Sequence, residues 1–218
     1  KFVVKNVFAD INNYMKSGIQ LRKLINAVNE KVDFNDAREK HTFNDLYEGM
    51  LKDLQSSGNA GEYYTPRPVT NFIVEKVDPK LGEIVLDPAC GTGGFLTSTI
   101  AHFGSIESTE DLQKLQTSIN GWEKKPLPFL LAMTNLILHD IEIPNLKHIN
   151  SLNRPYTDYS EVDRVDVVVA SPPFGGSEDA AVKNNFPTEF QTSETADLFM
   201  ALIMNLLKDK GRCGIVLP

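Results

Sequence analysis

An uninterrupted apolar run that ends in two prolines limits the folds open to this chain. Residues 167–170 read Val-Val-Val-Ala without polar alternation, which is typical of a strand covered by helices on both faces. Pro172 and Pro173 follow Ser171 and end the strand, because proline lacks a backbone N–H and cannot continue a central strand. Open α/β sheets bind ligands at the carboxyl ends of their strands. The residues after this strand therefore form either an ordinary turn or part of a ligand site.

Strand and helix patterns alternate from residue 67 onward, which favours an α/β fold with a doubly wound, mainly parallel sheet. We predict helices over 67–78, 93–103, 126–140 and 194–208. We predict strands over 82–89, 117–123, 147–150, 164–170 and 211–218. Because the last strand is not followed by the remaining elements of a sheet domain, we expect a fragment that is truncated at its C-terminus.

Residues 1–57 carry helical patterns, in which apolar residues such as Leu24 and Ile25 stand between polar ones. The following sequence SSGNAGEYYTPRPVT is punctuated by glycine, serine and proline, which is typical of a loop. We therefore predict a small helical segment, then a domain boundary near residue 58.

The composition describes a globular chain of 218 residues with 41% hydrophobic residues and a formal net charge of −7. An acidic chain is poorly suited to gripping DNA alone, since that affinity comes from phosphates neutralised by Lys and Arg. No apolar run is long enough to span a bilayer and the first residues do not resemble a signal peptide, so we expect a cytoplasmic protein. Cys90 and Cys213 fit reduced thiols, and no metal-ligand spacing occurs.

A glycine-rich turn follows the first strand of the predicted sheet. The sequence LDPACGTGGF places Asp87 at the strand tip and Gly91, Gly93 and Gly94 before a helix, where glycines let a ligand approach the backbone. A dinucleotide fingerprint would need glycine at Leu96, and no Gly-Lys-Ser/Thr follows to make a P-loop. The pattern indicates a cofactor that carries an amino acid and a nucleoside but no pyrophosphate. A purely structural tight turn is the alternative.

Two further polar residues follow the next two strands. Glu123 ends the second strand, where an acid can accept hydrogen bonds from both ribose hydroxyls. Asn150 follows the third strand and could pair with an adenine edge. Taken alone, Glu123 would be a solvated surface residue and Asn150 a turn residue.

Together these motifs resemble the gamma-type amino-methyltransferases that act on DNA, and in particular the modification subunit of type I restriction-modification enzymes. That family reads Tyr/Phe-Thr-Pro-Arg, Asp-Pro-Ala-Cys-Gly-Thr-Gly-Gly-Phe-Leu and Asn-Pro-Pro-Phe-Gly. The matching residues stand in the same order and are Tyr64-Thr65-Pro66, Asp87 to Phe95, Glu123, Asn150 and Ser171 to Phe174. The resemblance covers residues 41–218. It implies that 1–57 is the end of an N-terminal helical domain and that 58–218 is a catalytic domain of the class I methyltransferase (Rossmann-like) type.

The resemblance also implies S-adenosylmethionine as the cofactor and no metal. The loop from Gly61 to Pro66 would lie over its methionine end and the turn from Asp87 to Gly94 beneath it, while Glu123 would bind the ribose and Asn150 would lie beside the adenine. The cofactor-binding residues so implied are Gly61, Glu62, Tyr63, Tyr64, Thr65, Pro66, Asp87, Pro88, Ala89, Gly91, Thr92, Gly93, Gly94, Glu123 and Asn150.

Ser171, Pro172, Pro173 and Phe174 match the family's catalytic tetrapeptide. In the family, the first side chain and the first proline's carbonyl accept hydrogen bonds from the amine of a flipped base, on which the aromatic ring stacks. Ser171 stands where the family usually has Asn. Three possibilities follow: methylation of adenine with slower chemistry, methylation of cytosine at its exocyclic amine, or a weakened site. Because the rest of the chain matches the adenine-methylating family so closely, the resemblance favours adenine in DNA as the substrate.

The partners implied by the resemblance are double-stranded DNA, a specificity subunit, a restriction subunit and a second modification subunit. Two other classes of function compete with this interpretation. A catalytically silent module for cofactor binding or assembly is compatible with Ser171 and with the acidic charge. An NAD-dependent oxidoreductase is disfavoured by Leu96 and by the Pro-Pro-Phe sequence.

Overall fold

The computed structural model describes residues 15–31, 33, 36–56 and 65–217. Contacts within the chain divide it into two compact units, Lys1–Gly61 and Glu62–Pro218. The predicted boundary near residue 58 and the predicted identities of the two domains stay predictions.

The described residues of the first unit are mainly helical. It contains α1 (Gly18–Lys31) and α2 (Ala37–Ser56). The Ser17 carbonyl accepts a hydrogen bond from the Leu21 N–H at 3.0 Å, which begins α1. Over the described ranges of the whole chain, no helix combines the length and the apolar character that crossing a membrane requires.

The second unit is built on a sheet of parallel strands, which confirms the predicted doubly wound α/β fold. The described strands are β1 (Val85–Asp87), β2 (Ile119–Glu123), β3 (Asn145–His148), β4 (Val165–Ala170) and β5 (Leu207–Ile215). Their order in the sheet is β3-β2-β1-β4-β5, and each neighbouring pair is parallel. The chain winds outward in one direction from β1 to β3 and in the other from β4 to β5. The switch point therefore lies between β1 and β4, where such sheets form their ligand crevice.

One helix precedes β1 and the other helices lie between the strands. They are α3 (Arg67–Val77), α4 (Gly94–Phe103), α5 (Thr109–Ser118), α6 (Pro126–Leu138), α7 (Ala180–Lys183) and α8 (Thr195–Leu206). Short 3-10 turns occur at Tyr156–Asp158, Glu161–Asp163 and Thr188–Phe190. Pro68 and Pro126 stand in the first turns of α3 and α6, where a missing N–H breaks no helical hydrogen bond.

Helix α5 and parts of the strand boundaries differ from the prediction. Helix α5 was not predicted from the sequence, although Ser108 caps it by accepting a hydrogen bond from the Asp111 N–H at 3.0 Å. Strand β3 begins two residues before its predicted start. Strand β5 begins at Leu207, inside the predicted helix, because the chain returns to the sheet there and then bulges before it pairs again at Arg212. Lys210 has a φ of +64° within this bulge.

The apolar run of β4 is buried on both faces, as predicted. Val167 and Val169 pack in a cluster with Val85 and Phe95. Val168 and Ala170 point to the opposite face, because successive strand residues alternate, and they pack in the cluster formed with α8. The strand that leads to the Ser-Pro-Pro-Phe sequence is therefore held rigidly from both sides.

Gly121 lies in β2, between β1 and β3, where the space is too small for a side chain. A Cβ there would lie 2.6 Å from Leu146 Cδ2, 2.9 Å from Leu96 Cδ1 and 3.1 Å from Cys90 Sγ. We expect Gly121→Ala to lower the free energy of unfolding by about 1 to 3 kcal/mol, as measured by chemical denaturation, because the core must be overpacked. Gly49→Ala is the control, since a Cβ at Gly49 meets nothing within 4 Å. Equal stability of the two variants would contradict this account.

Candidate active site

A pocket opens at the carboxyl ends of β1, β2 and β4, at the switch point of the sheet. Its lining residues are Thr65, Asp87, Pro88, Ala89, Cys90, Gly91, Gly94, Phe95, Glu123, Lys124, Lys125, Asn150, Ser151, Ser171, Pro173, Glu178 and Phe199. Residues from all five segments that match the resembling family thus meet in one cavity, although these lining residues run from Thr65 to Pro173 in the chain.

Asp87 is the most deeply buried acid of the pocket, with only 1% of its surface exposed. Its Oδ1 accepts a hydrogen bond from the Ala89 N–H at 3.0 Å. Burial raises the pKa of Asp87 to about 8; this hydrogen bond opposes the rise, and the nearby charge of Glu123 adds to it. The protein therefore compensates the negative charge of an ionised Asp87 poorly, which favours a ligand that brings positive charge.

The glycine-rich turn needs its glycines for backbone reasons. Gly91 and Gly93 have φ values of +55° and +83°, which a side chain would make strained. A Cβ at Gly93 would also lie 3.5 Å from the Cβ of Ala132 in α6. Gly93 is the N-cap residue of α4 and has no side chain to cap it, so the helix presents its first N–H groups at the edge of the pocket.

Glu123 joins the glycine-rich turn to the end of β2. Its Oε2 accepts a hydrogen bond from the Gly91 N–H at 2.9 Å, and its Oε1 accepts one from the Lys125 N–H at 2.6 Å. Burial raises the pKa of Glu123, while these backbone N–H groups act to lower it. Each carboxylate oxygen keeps a lone pair that can accept a hydrogen bond from a ligand hydroxyl.

Asn150 lies in the pocket on a short loop after β3. Its Oδ1 accepts a hydrogen bond from the Leu152 N–H at 3.1 Å, and its Nδ2 donates to Asn153 Oδ1 at 3.2 Å. The neighbouring Ser151 is buried and donates through Oγ to the Pro88 carbonyl, which fixes this loop against the glycine-rich turn.

The Ser-Pro-Pro-Phe sequence reaches the pocket through its first and third residues. Ser171 and Pro173 line the cavity, while Pro172 is buried beside it. Phe174 does not line it and is 51% exposed. Its half-exposed ring can therefore meet a ligand that arrives from outside the cavity.

Thr65 lines the pocket from the loop before α3, and it is one of two residues of the predicted loop that the structure describes. Pro66 does not line the cavity, and Gly61, Glu62, Tyr63 and Tyr64 lie outside the described residues. Thr92 and Gly93 also do not line it. The Thr92 carbonyl instead accepts a hydrogen bond from Asn135 Nδ2 at 3.0 Å, which ties the turn to α6.

Arg67 matches the arginine of the family's Tyr/Phe-Thr-Pro-Arg motif, although no role was predicted for it. Its Nη1 donates to the Gly94 carbonyl at 2.6 Å and also contacts Thr97 Oγ1. This contact holds the loop that carries Thr65 against the start of α4.

Several residues of the pocket are not among the predicted site residues. They are Cys90, Phe95, Lys124, Lys125, Ser151, Glu178 and Phe199. Cys90, Phe95, Lys124 and Ser151 each adjoin a predicted residue, and this adjacency was the available signal. Lys125 stands two positions after Glu123, while Glu178 and Phe199 have no predicted neighbour. Burial raises the pKa of the Cys90 thiol well above its usual value, which makes it an apolar wall of the pocket and not a nucleophile.

Similarity to known proteins covers nearly the whole chain. The model of the N-6 DNA Methylase family matches residues 38–218. The type I restriction enzyme EcoEI methylase subunit of Escherichia coli is 54% identical over 100% of this chain and 44% of its own length. The StySPI methylase subunit of Salmonella potsdam is 31% identical over 100% of this chain and 43% of its own length. A solved chain of a type I restriction-modification system superimposes with a TM-score of 0.88, at 38% identity, over 99% of this chain and 44% of that chain.

The structural likeness confirms the predicted methyltransferase-type fold. The chain spans less than half the length of the curated relatives that it matches. Because the family model covers most of the chain and a relative is 54% identical along all of it, the chain belongs to the N-6 DNA methylase family, together with the methylase subunits of type I restriction enzymes.

Proposed function

We propose that this chain carries the catalytic site of a type I modification subunit and transfers a methyl group from S-adenosylmethionine to the exocyclic amine of adenine in DNA. The observation that carries the proposal is the convergence of Asp87, Glu123, Asn150 and Ser171 on one pocket. The N-6 DNA methylase match favours adenine over cytosine as the base.

The residues of the pocket fit S-adenosylmethionine. Glu123 has lone pairs for the two ribose hydroxyls, and Asn150 lines the cavity where an adenine edge can meet it. Asp87 is a buried carboxylate with little compensation, and the cofactor brings an ammonium and a sulfonium group. When bound, the cofactor supplies a methyl group that its sulfonium already activates.

The role of the Ser-Pro-Pro-Phe sequence follows from the chemistry of the amine. Its lone pair is delocalised into the base, so hydrogen-bond acceptors are needed to draw its N–H groups aside and free the lone pair for attack. The Ser171 hydroxyl and the Pro172 carbonyl can accept these bonds, and the two prolines hold that carbonyl rigidly. No general base is required before attack, because the proton can leave the amine afterwards.

Phe174 offers a stacking surface for the target base. A base inside a duplex cannot reach the pocket, so it must be flipped out, and stacking on an aromatic ring offsets part of the lost base stacking. The exposed ring of Phe174, next to the Ser171–Pro173 wall of the pocket, suits that role.

We propose that this modification subunit contacts DNA together with a specificity subunit, alongside a second modification subunit and a restriction subunit. The net charge of −7 supports this, because the acidic chain supplies little of the phosphate neutralisation that DNA binding needs. A cytoplasmic location is part of the same proposal.

The direct test uses the full-length subunit with its specificity partner, DNA and methyl-labelled cofactor. Digestion of the product to nucleosides should place the label in N6-methyladenine. Label in methylcytosine alone would reject the choice of base, and the absence of label in DNA would reject the proposed function.

Phe174→Ala should lower kcat/KM for DNA by about 5- to 150-fold, the equivalent of the 1 to 3 kcal/mol typical of base stacking on an aromatic ring. Phe72→Ala is a matched control, because Phe72 is a half-exposed phenylalanine on α3 that does not line the pocket. Equal activity of the two Phe→Ala variants would remove Phe174 from the target site.

Ser171→Asn should keep or raise turnover, because a carboxamide oxygen reaches farther toward the amine.

A further inference from the structure

Residues 175–185, here called the strap, follow the Ser-Pro-Pro-Phe sequence directly and contact two cofactor-side elements of the pocket. At the far end of the strap, Asn185 Nδ2 donates to the carbonyls of Leu152 and Asn153, each at 3.0 Å. The Asn185 carbonyl accepts a hydrogen bond from the Tyr156 N–H at 2.8 Å. One residue of the strap thus holds the loop that begins at Asn150.

Glu178 makes the second contact, near the middle of the strap. Its side chain lines the pocket and is only 14% exposed, and its Oε2 lies 3.5 Å from Lys124 Nζ. Lys124 follows Glu123 directly in the chain. The strap therefore also reaches the end of β2, where the carboxylate proposed to bind ribose stands.

The strap itself is fixed to the body of the second unit. The Gly176 carbonyl accepts a hydrogen bond from the Thr195 N–H at 3.0 Å, and Ser177 pairs with Glu194 in an antiparallel bridge. Val182 belongs to the buried cluster that contains the core face of α8. The strap is therefore a packed element, so that a shift at one of its ends moves the other end as well.

We propose that Asn185 and Glu178 are positioning residues, which set the Ser171–Phe174 sequence at the correct distance from the cofactor. The inference rests on the proposed function. Methyl transfer needs the amine, the methyl group and the sulfur in line, and a displacement of about 1 Å can reduce such a rate by about a hundredfold. Because the strap is continuous with the sequence that holds the target base and bonded to both cofactor-side elements, it fixes the two reactants relative to each other.

The first test replaces Asn185 by aspartate in the full-length subunit with its specificity partner. The variant is isosteric, but it cannot donate and places a charge against the carbonyls of Leu152 and Asn153. Steady-state methylation should show kcat lowered about tenfold or more and KM for S-adenosylmethionine raised several-fold, because both sides of the pocket shift. The dissociation constant for DNA in the absence of cofactor should stay within about twofold of the unaltered enzyme.

Asn205→Asp is the matched control for this substitution. Asn205 is also a half-buried asparagine, and its Nδ2 donates to the Tyr156 carbonyl of the same loop at 2.8 Å, but from α8 and not from the strap. It should lower the melting temperature while kcat and KM stay within about twofold, since the strap contacts remain.

Glu178 and Lys124 are tested by a double-mutant cycle. We expect each single variant, Glu178→Gln or Lys124→Met, to speed dissociation of S-adenosylmethionine about three- to tenfold. The double variant should release the cofactor no faster than the faster of the two single variants, because each substitution removes the same ion pair. Fully additive effects would contradict the link between strap and β2.

The outcomes separate this inference from the proposed function. If the unaltered complex transfers no methyl group to DNA, the proposed function fails. If the unaltered complex is active and Asn185→Asp keeps its kcat and KM, or Asn205→Asp changes both as much as Asn185→Asp does, the strap has no positioning role.

Discussion

Replacing Glu123 by alanine is expected to weaken the binding of S-adenosylmethionine by about 1 to 3 kcal/mol, the cost typical of leaving buried polar groups without partners. The substitution removes the proposed ribose ligand and also leaves the N–H groups of Gly91 and Lys125 without their acceptor. Both losses lower the affinity for the cofactor, because without the Glu123 acceptor the glycine-rich turn would shift and place its backbone incorrectly for the cofactor. Titration calorimetry with the cofactor measures the loss directly.

Glu123→Gln sharpens the test. Both carboxylate oxygens accept from backbone N–H groups, so the NH₂ of a glutamine must face one of these donors. We therefore expect Gln to lose affinity nearly as Ala does. Glu83→Gln is the control: Glu83 pairs with Arg212 at 2.6 Å and does not line the pocket, so its loss should lower stability and leave cofactor affinity unchanged. An unchanged dissociation constant in Glu123→Ala would remove Glu123 from the site.

The sequence was most informative where function depends on residues that are local in the chain. The apolar run of residues 167–170 predicted a strand buried on both faces, and the structure confirms it, because burial on two sides leaves a continuous pattern. The glycine-rich turn could be recognised for a similar reason, since the positive φ values of Gly91 and Gly93 require glycine at fixed spacing.

The contacts of the strap could not be predicted in this way. Asn185 reaches the carbonyl of Leu152, 33 residues earlier in the chain, and Glu178 reaches Lys124. Neither contact has a local sequence pattern, since an isolated Asn or Glu in a polar segment is as common on a plain surface. Strand β5 was misplaced for a related reason: its first residue, Leu207, is apolar in both interpretations, and only the pairing with Val165 decides where the helix ends.

Asp87 should make cofactor binding depend on pH. Burial raises its pKa to about 8, so the carboxyl is mostly protonated at neutral pH before the cofactor binds. The positive charges of S-adenosylmethionine favour the ionised form, so binding should release close to one proton at about pH 7, and affinity should rise with pH until it levels off near pH 8. Calorimetry in two buffers with different ionisation enthalpies measures the released proton.

The same shift has the opposite effect on the stability of the cofactor-free protein. Between the unfolded pKa of about 4 and the folded value, the native state holds a proton that the unfolded chain has lost, so the contribution of Asp87 to stability falls by about 1.4 kcal/mol per pH unit as pH rises. It is fully present below about pH 4 and lost above the folded pKa. Asp87→Asn should therefore be more stable than the unaltered protein at pH 8, yet bind the cofactor less tightly and without proton release.

The product of the reaction identifies the charge that Asp87 meets. S-adenosylhomocysteine keeps the ammonium group but lacks the sulfonium charge. If Asp87 faces the sulfonium, the product should bind with little proton release, and binding would be weaker after transfer than before it, which favours product release. If it faces the ammonium, both ligands should release the same fraction of a proton. If proton release persists in Asp87→Asn, another group releases the proton when the cofactor binds. Glu123 is then the next residue to replace, because burial also raises its pKa.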